Sequence, residues 1–137
     1  MQTFLPCAGF VASAKVLDYR RLGKQRIEAR QILAALKTGN GWRNHPAVLM
    51  WKGYELALIS YSNEMIREWK ARGYNNNMEI LPVDDPFVLP TWFGDDRFHA
   101  SHRSNLLRKD WAYYSQYKWP EPDNLPYFWP TKEEEYK

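Results

Sequence analysis

Arg21, Lys24, Gln25 and Glu28 stand at i, i+3, i+4 and i+7, a spacing that brings them to one face of a helix. A lone carboxylate among cations holds them in place. The surrounding stretch from Lys15 to Lys37 has seven bases (Lys15, Arg20, Arg21, Lys24, Arg26, Arg30, Lys37) against two acids (Asp18, Glu28), a net +5. A merely solvated face with i,i+4 pairs is the alternative, but a face built for solubility mixes its signs. Such an excess of one sign fits a polyanion.

Three further constellations carry possible chemistry. In Gly41-Trp42-Arg43-Asn44-His45-Pro46, Asn44 or His45 can cap the helix that follows, and Arg43 and His45 are candidate phosphate contacts. His99, His102 and Arg103 lie at i, i+3 and i+4 near the start of another helix, a set that suits phosphate. The two histidines could take a metal, but no nearby Cys or third His completes a site, so no metal is expected. Trp111, Tyr113, Tyr114, Tyr117 and Trp119 follow, flanked by Lys109 and Lys118. Aromatics interleaved with cations can stack on bases while the cations hold phosphates. Trp111 and Tyr114 read as core, leaving Trp119, with Tyr117, as the stacking candidate. Local caps, surface charge and core packing are the plainer alternatives for each of these residues.

Three helices must position these groups. The first is expected over Phe10 to Lys37, capped by Ser13 and stopped by Gly39 and Gly41, with Gly23 weakening it locally. The second opens at His45-Pro46 and runs to about Arg72, before Gly73. Trp51, Tyr54, Leu58, Tyr61 and Met65 step by three and four along it and mark its buried face. Between Tyr74 and Asp96 the Asn and Pro content reads as a long loop, pinned by Ile80-Leu81, Phe87-Val88-Leu89 and Trp92-Phe93. The third helix runs from Asp96 or Phe98 to Tyr117, before Pro120 and Pro122. No strand pattern is convincing, so the expected fold is all-α: three main helices with long packed loops in one domain over residues 1–137.

Composition limits the rest. The chain has 137 residues, of which 16% are aromatic and 26% charged, which excludes intrinsic disorder. No apolar run approaches the length of a membrane span, so no membrane association is expected. The net charge of +3 hides an uneven distribution. The 118 residues before Trp119 carry 17 Lys and Arg against 11 Asp and Glu, and the tail is acidic. A single cysteine, Cys7, excludes an intramolecular disulfide and any Cys-cluster metal site. The start Met-Gln-Thr-Phe-Leu-Pro lacks a basic n-region, and a cytoplasmic monomer is expected.

The order of these features resembles the pyrimidine-dimer DNA glycosylase (endonuclease V) family of small all-α repair enzymes. Tyr19-Arg20-Arg21-Leu22-Gly23-Lys24 is similar to the family's Tyr-Arg-Glu-Leu-Pro-Arg, and Lys70-Ala71-Arg72-Gly73-Tyr74-Asn75 to its Lys-Arg-Gly-Phe-Asn. Ala100-Ser101, Arg108 and Asp110 fall in register with its third helix, and Trp119 with an aromatic cluster near its C-terminus. The phrases Trp-Arg-Asn-His-Pro-Ala and His-Ala-Ser-His-Arg-Ser-Asn-Leu-Leu-Arg-Lys look like a cellular branch.

The resemblance implies a glycosylase with abasic-site lyase activity on damaged or modified pyrimidines in duplex DNA, with no cofactor. The terminal α-amine attacks C1′, a Schiff base replaces the glycosidic bond, and β-elimination cuts the strand. It also implies an extruded base in a kinked duplex. Arg20, Lys24 and Arg108 match family DNA contacts in type and position. The direct counterpart of the family carboxylate is Arg21, so Glu28, on the same face, stands in its place. Gln2 predicts retention of Met1, so the expected nucleophile is the Met1 amine, with Lys24 as the second candidate amine. The expected DNA-contact set is Arg20, Arg21, Lys24, Gln25, Arg43, His45, His99, His102, Arg103, Arg108 and Trp119. Two alternatives remain: a nucleic-acid-binding protein that kept the fold without the chemistry, and a hydrolase using His99, His102 and Glu28.

Overall fold

The computed structural model describes residues 1–39 and 44–130. Arg43 therefore lies outside the described residues, as does the acidic end of the tail. The fold is all-α, with no strand among the described residues. Its helices are α1 (Phe10–Val16), α2 (Tyr19–Thr38), α3 (Pro46–Leu49), α4 (Glu55–Ala71), α5 (Asp96–Lys109) and α6 (Trp111–Tyr114), with a 3₁₀ turn at Ser115–Tyr117.

Each of the three expected helices is interrupted, and in each case a specific group causes the break. The first stops at Leu17, which is extended, and restarts as α2 with Asp18 as its cap. The Asp18 carboxylate accepts the Arg21 N–H at 3.4 Å, and the Asp18 N–H donates to the Tyr114 hydroxyl at 3.0 Å. That hydroxyl in turn donates to the Asp18 carboxylate. A residue so tied from α6 takes the cap geometry rather than continuing a helix. Ser13 does not cap α1, whose N-cap is Gly9. Its buried hydroxyl instead accepts the Cys7 N–H at 3.2 Å and donates to the Cys7 carbonyl at 3.1 Å. The second helix is interrupted between α3 and α4, where Gly53 has φ +87°, a left-handed conformation that glycine adopts without strain. The third is interrupted at Asp110 (φ −154°, ψ 76°), whose carboxylate then caps α6 by accepting the Tyr113 N–H at 3.2 Å.

The core lies where α4 packs against α1 and α2. Leu58, Tyr61 and Met65 of α4 are fully buried, as their spacing requires; Trp51, before the break, is also fully buried, and Tyr54, the N-cap of α4, is half-buried. Gly23 has a packing reason: a Cβ there would stand 3.0 Å from Cζ3 of Trp69 on α4. The loop after α4 is fastened by side chains. The Asn63 amide pairs with both the Leu81 carbonyl (2.8 Å) and the Leu81 N–H (3.0 Å), and Arg26 donates to Asn76 at 2.7 Å. Leu81, Phe87, Trp92 and Phe93 pack on the core, whereas Ile80, Val88 and Leu89 are exposed. No helix among the described residues is long and apolar enough to cross a membrane.

Candidate nucleic-acid site

The first six residues form an extended segment whose backbone is paired almost entirely by side chains. The Gln2 N–H donates to Oε2 of Glu28 at 3.1 Å, and the Gln2 carbonyl accepts from Nε2 of Gln25 at 3.0 Å. The Phe4 N–H donates to Oε1 of Gln25 at 3.0 Å, and the Tyr61 hydroxyl lies 2.8 Å from the Phe4 carbonyl. The Leu5 N–H donates to Nδ1 of His102 at 2.9 Å, and the Leu5 carbonyl lies 2.7 Å from Nδ1 of His99. Arg103 donates to the Pro6 carbonyl at 2.9 Å, and the Trp51 indole N–H to the Thr3 hydroxyl at 3.0 Å. A buried backbone needs such partners, and here α2, α4 and α5 supply them in place of a second strand.

This sleeve delivers Met1 into an open cleft of about 1020 Å³. Helix α2 contributes Tyr19, Arg20, Arg21, Lys24, Gln25 and Glu28 to its lining. Lys109, Asp110 and Tyr113 come from the α5–α6 junction, and Tyr127 and Trp129 from the C-terminal segment. His45 completes the wall. The fold thus brings Met1, Glu28, Lys24, Arg20, Arg21, Gln25 and His45 together.

Within that group the roles divide. Lys24 and Arg20 are exposed, and Arg20 donates to the Tyr19 hydroxyl at 3.1 Å. Arg21 pairs with Asp18 at 3.2 Å. Gln25 is buried, with its amide bonded to Gln2, Phe4 and Tyr61, so it holds the N-terminal segment. His45 caps α3, its Nδ1 accepting the Ala47 N–H at 3.0 Å, and meets Trp129 edge-on at 6.1 Å. Burial, then the Met1 ammonium, holds its imidazole below the usual histidine range.

The other expected contacts lie elsewhere. His99 and His102 are inside the molecule, not on a phosphate-binding surface. The Gly94 N–H donates to Nε2 of His99 at 3.0 Å, so both of its ring nitrogens are engaged by backbone. Burial and the neighbouring His99 hold His102 down at about 3, so it is a neutral core group. Neither ring is among the residues that line the cleft, so the cleft does not bring His99 and His102 to Glu28. Arg103 is a tie for the C-terminal segment: it pairs with both carboxylate oxygens of Glu121, at 2.8 and 3.0 Å, and with Asp96 at 3.0 Å. Arg108 is exposed but outside the cleft lining, bonded to Asn105 and, at 3.3 Å, to the Asp123 carbonyl. Trp119 stacks on Tyr114 (5.8 Å, 17°) and Tyr117 (5.3 Å, 23°). Tyr114 is core as expected, whereas Trp111, also expected inside, is 59% exposed. Among the described residues no group of three or more His, Cys, Asp or Glu is placed to hold a metal.

Sequence reasoning missed Tyr127 and Trp129, because nothing local indicates that the tail returns to the cleft. Ser104 and Ser101 bring it back, accepting the Leu125 N–H at 2.9 Å and the Phe128 N–H at 3.1 Å. It also missed the sleeve, although the apolar run Phe4-Leu5-Pro6 ends on a proline, a mark of an extended buried segment.

Met1, a carboxylate and a cationic helix face thus share one cleft, an arrangement suited to an anionic substrate. The family model for pyrimidine dimer DNA glycosylases matches residues 1–81, from the sleeve into the loop after α4, and the chain belongs to that family. Neither a curated protein nor a solved structure matches it.

Proposed function

We propose that the protein is a DNA glycosylase with abasic-site lyase activity on damaged or modified pyrimidines in duplex DNA. The observation that carries this reading is the shared cleft of Met1, Lys24 and Glu28, with the Gln2 N–H 3.1 Å from Oε2 of Glu28. In the proposed reaction the neutral α-amine of Met1 attacks C1′ of the lesion nucleotide, and the C1′–N bond breaks as the base leaves with a proton. One amine proton goes to the departing base and the other to O4′ as the C1′–O4′ bond opens, leaving an imine at C1′. Removal of a C2′ proton then expels the 3′ phosphate by β-elimination. Glu28 stabilises the positive charge that develops on the sugar and imine. Arg20 and Lys24 hold the flanking phosphates, and the target nucleotide is extruded into the cleft.

A second assignment of the nucleophile has a specific support. Should Met1 be removed, the nitrogen already beside Glu28 becomes the terminal amine, that of Gln2.

Incubation with duplex carrying an abasic site or a cyclobutane dimer, followed by borohydride, tests the reading. The expected result is a covalent protein–DNA adduct, whose peptide mass spectrum identifies residue 1, residue 2 or Lys24. Intact duplex binding with neither adduct nor cleavage leaves the non-catalytic binding protein as the correct description.

A further inference from the structure

Six tryptophans lie among the described residues, and five of them are engaged. Trp51 and Trp92 are buried, and their indole N–H groups donate to Thr3 and Met50. Trp69 donates to the Asn75 carbonyl at 2.7 Å and carries Arg26 over its ring at 4.3 Å. Trp119 stacks on Tyr114 and Tyr117, and Trp129 packs at a tilt against Tyr127 and edge-on against His45. Trp111 is different: it is 59% exposed, and among the described residues no ring packs against it.

Its position is fixed although its side chain is bare. Trp111 opens α6 directly after the break at Asp110, and the Asp110 cap holds that first turn. Lys109 and Asp110 before it and Tyr113 after it line the cleft, so Trp111 adjoins the cleft without itself lining it. Exposed Arg108 and Lys109 precede it. The Tyr114–Asp18 bond joins this turn to the start of α2, where Tyr19 and Arg20 are exposed at the same cleft.

Single exposed aromatics are ordinary on a protein surface. One held on a capped turn next to an open cleft, beside exposed cations, has a use. Extruding a nucleotide leaves a gap in the base stack, and apolar side chains inserted between base steps support kinked duplexes. We propose that Trp111 enters the duplex at the gap left by the extruded nucleotide and stacks on the neighbouring bases. The inference rests on the reading of the cleft as a nucleotide-binding site. Trp119 is not suited to this task, because tyrosines occupy its ring.

The test uses binding without chemistry: the full chain is titrated with an oligonucleotide containing a tetrahydrofuran abasic analogue, once as duplex and once as single strand. Trp111→Ala is expected to lose at least about tenfold in affinity for the duplex, the scale of one lost base–aromatic stack, and less than about twofold for the single strand, which holds no kinked stack for a wedge to support. Trp111→Phe, which keeps an aromatic face, is expected to recover part of the loss, with the melting temperatures of all three proteins alike. An equal loss on both DNA forms, or no loss on the duplex, overturns the proposal. Failure of the lyase reading appears separately, as absence of a borohydride adduct from the wild-type protein.

Discussion

The backbone nitrogen of Gln2 stands 3.1 Å from Oε2 of Glu28. Gln25, one turn earlier on the same helix face, takes the Gln2 carbonyl at 3.0 Å. Two side chains of α2 therefore hold both polar groups of the residue that follows the terminal amine. The position of that amine relative to the carboxylate is set by a helix, not by a loop, which is the kind of preorganisation a reaction at a sugar carbon needs.

Glu28→Gln is therefore expected to slow single-turnover adduct formation on an abasic-site duplex by about 100-fold, the scale of one lost charge-stabilising or proton-transferring group. Duplex affinity should hold or rise, because a negative charge leaves the DNA-facing cleft. Trapping by borohydride and equilibrium binding read the two quantities separately. Full activity in this variant removes Glu28 from the mechanism.

The histidine pair makes stability depend on pH. His102 is shifted from 6.5 to about 3 by burial and by His99, and His99 is shifted down by burial. The folded state thus binds fewer protons than the unfolded chain below the unfolded value of about 6.5. The histidine contribution is full above that pH and is lost as pH falls towards 3, by up to about 1.4 kcal/mol per pH unit for His102. Protonation of Nδ1 also breaks its bond with the Leu5 N–H and so loosens the sleeve. Urea titrations at pH 7, 6 and 5 should show the wild-type midpoint falling with acid. His102→Gln should start lower and fall less steeply, and an unchanged slope would exclude His102 as its source.

How far the sequence reaches follows from which contacts are local. The face Leu58–Tyr61–Met65 and the stripe Arg21–Lys24–Gln25–Glu28 were readable because helical spacing alone puts such residues together, whereas Trp51 and Tyr54 precede α4. The helix breaks were not, since the one at Asp18 depends on Tyr114, 96 positions away. The histidines misled for the same reason. His102 looks like a phosphate ligand at the start of a helix until Leu5, 97 positions earlier, is laid against it. Gln25 belongs to the cationic stripe by spacing, yet the segment it grips turns it into a core residue.

Gly23 reads as a weak point in α2, and alanine there gains roughly 1 kcal/mol of helix propensity. Packing reverses the sign. The added Cβ would meet Trp69 at 3.0 and 3.1 Å, and the indole cannot swing away freely, being held by Asn75 at 2.7 Å, Arg26 at 4.3 Å and Tyr74 at 4.4 Å. Gly23→Ala is expected to destabilise by about 1–2 kcal/mol net, the usual cost of overpacking. Thermal unfolding checks the direction, and a raised melting temperature would show that Trp69 yields.

Two arginine-or-lysine positions expected to contact DNA should separate cleanly when salt is varied. Lys24 is exposed in the cleft, so Lys24→Gln should weaken duplex binding and make the slope of log K against log salt shallower by about 0.9, one phosphate contact. Arg103 faces Glu121, Asp96 and the Pro6 carbonyl, so its charge is already spent within the protein. Arg103→Gln should leave the salt slope unchanged and cost about 2 kcal/mol of stability, because it strips the half-buried Glu121 carboxylate of its partner. Equal slopes for wild type and Lys24→Gln would take Lys24 out of the DNA interface. A shallower slope for Arg103→Gln would mean that the C-terminal segment releases its arginine when DNA binds.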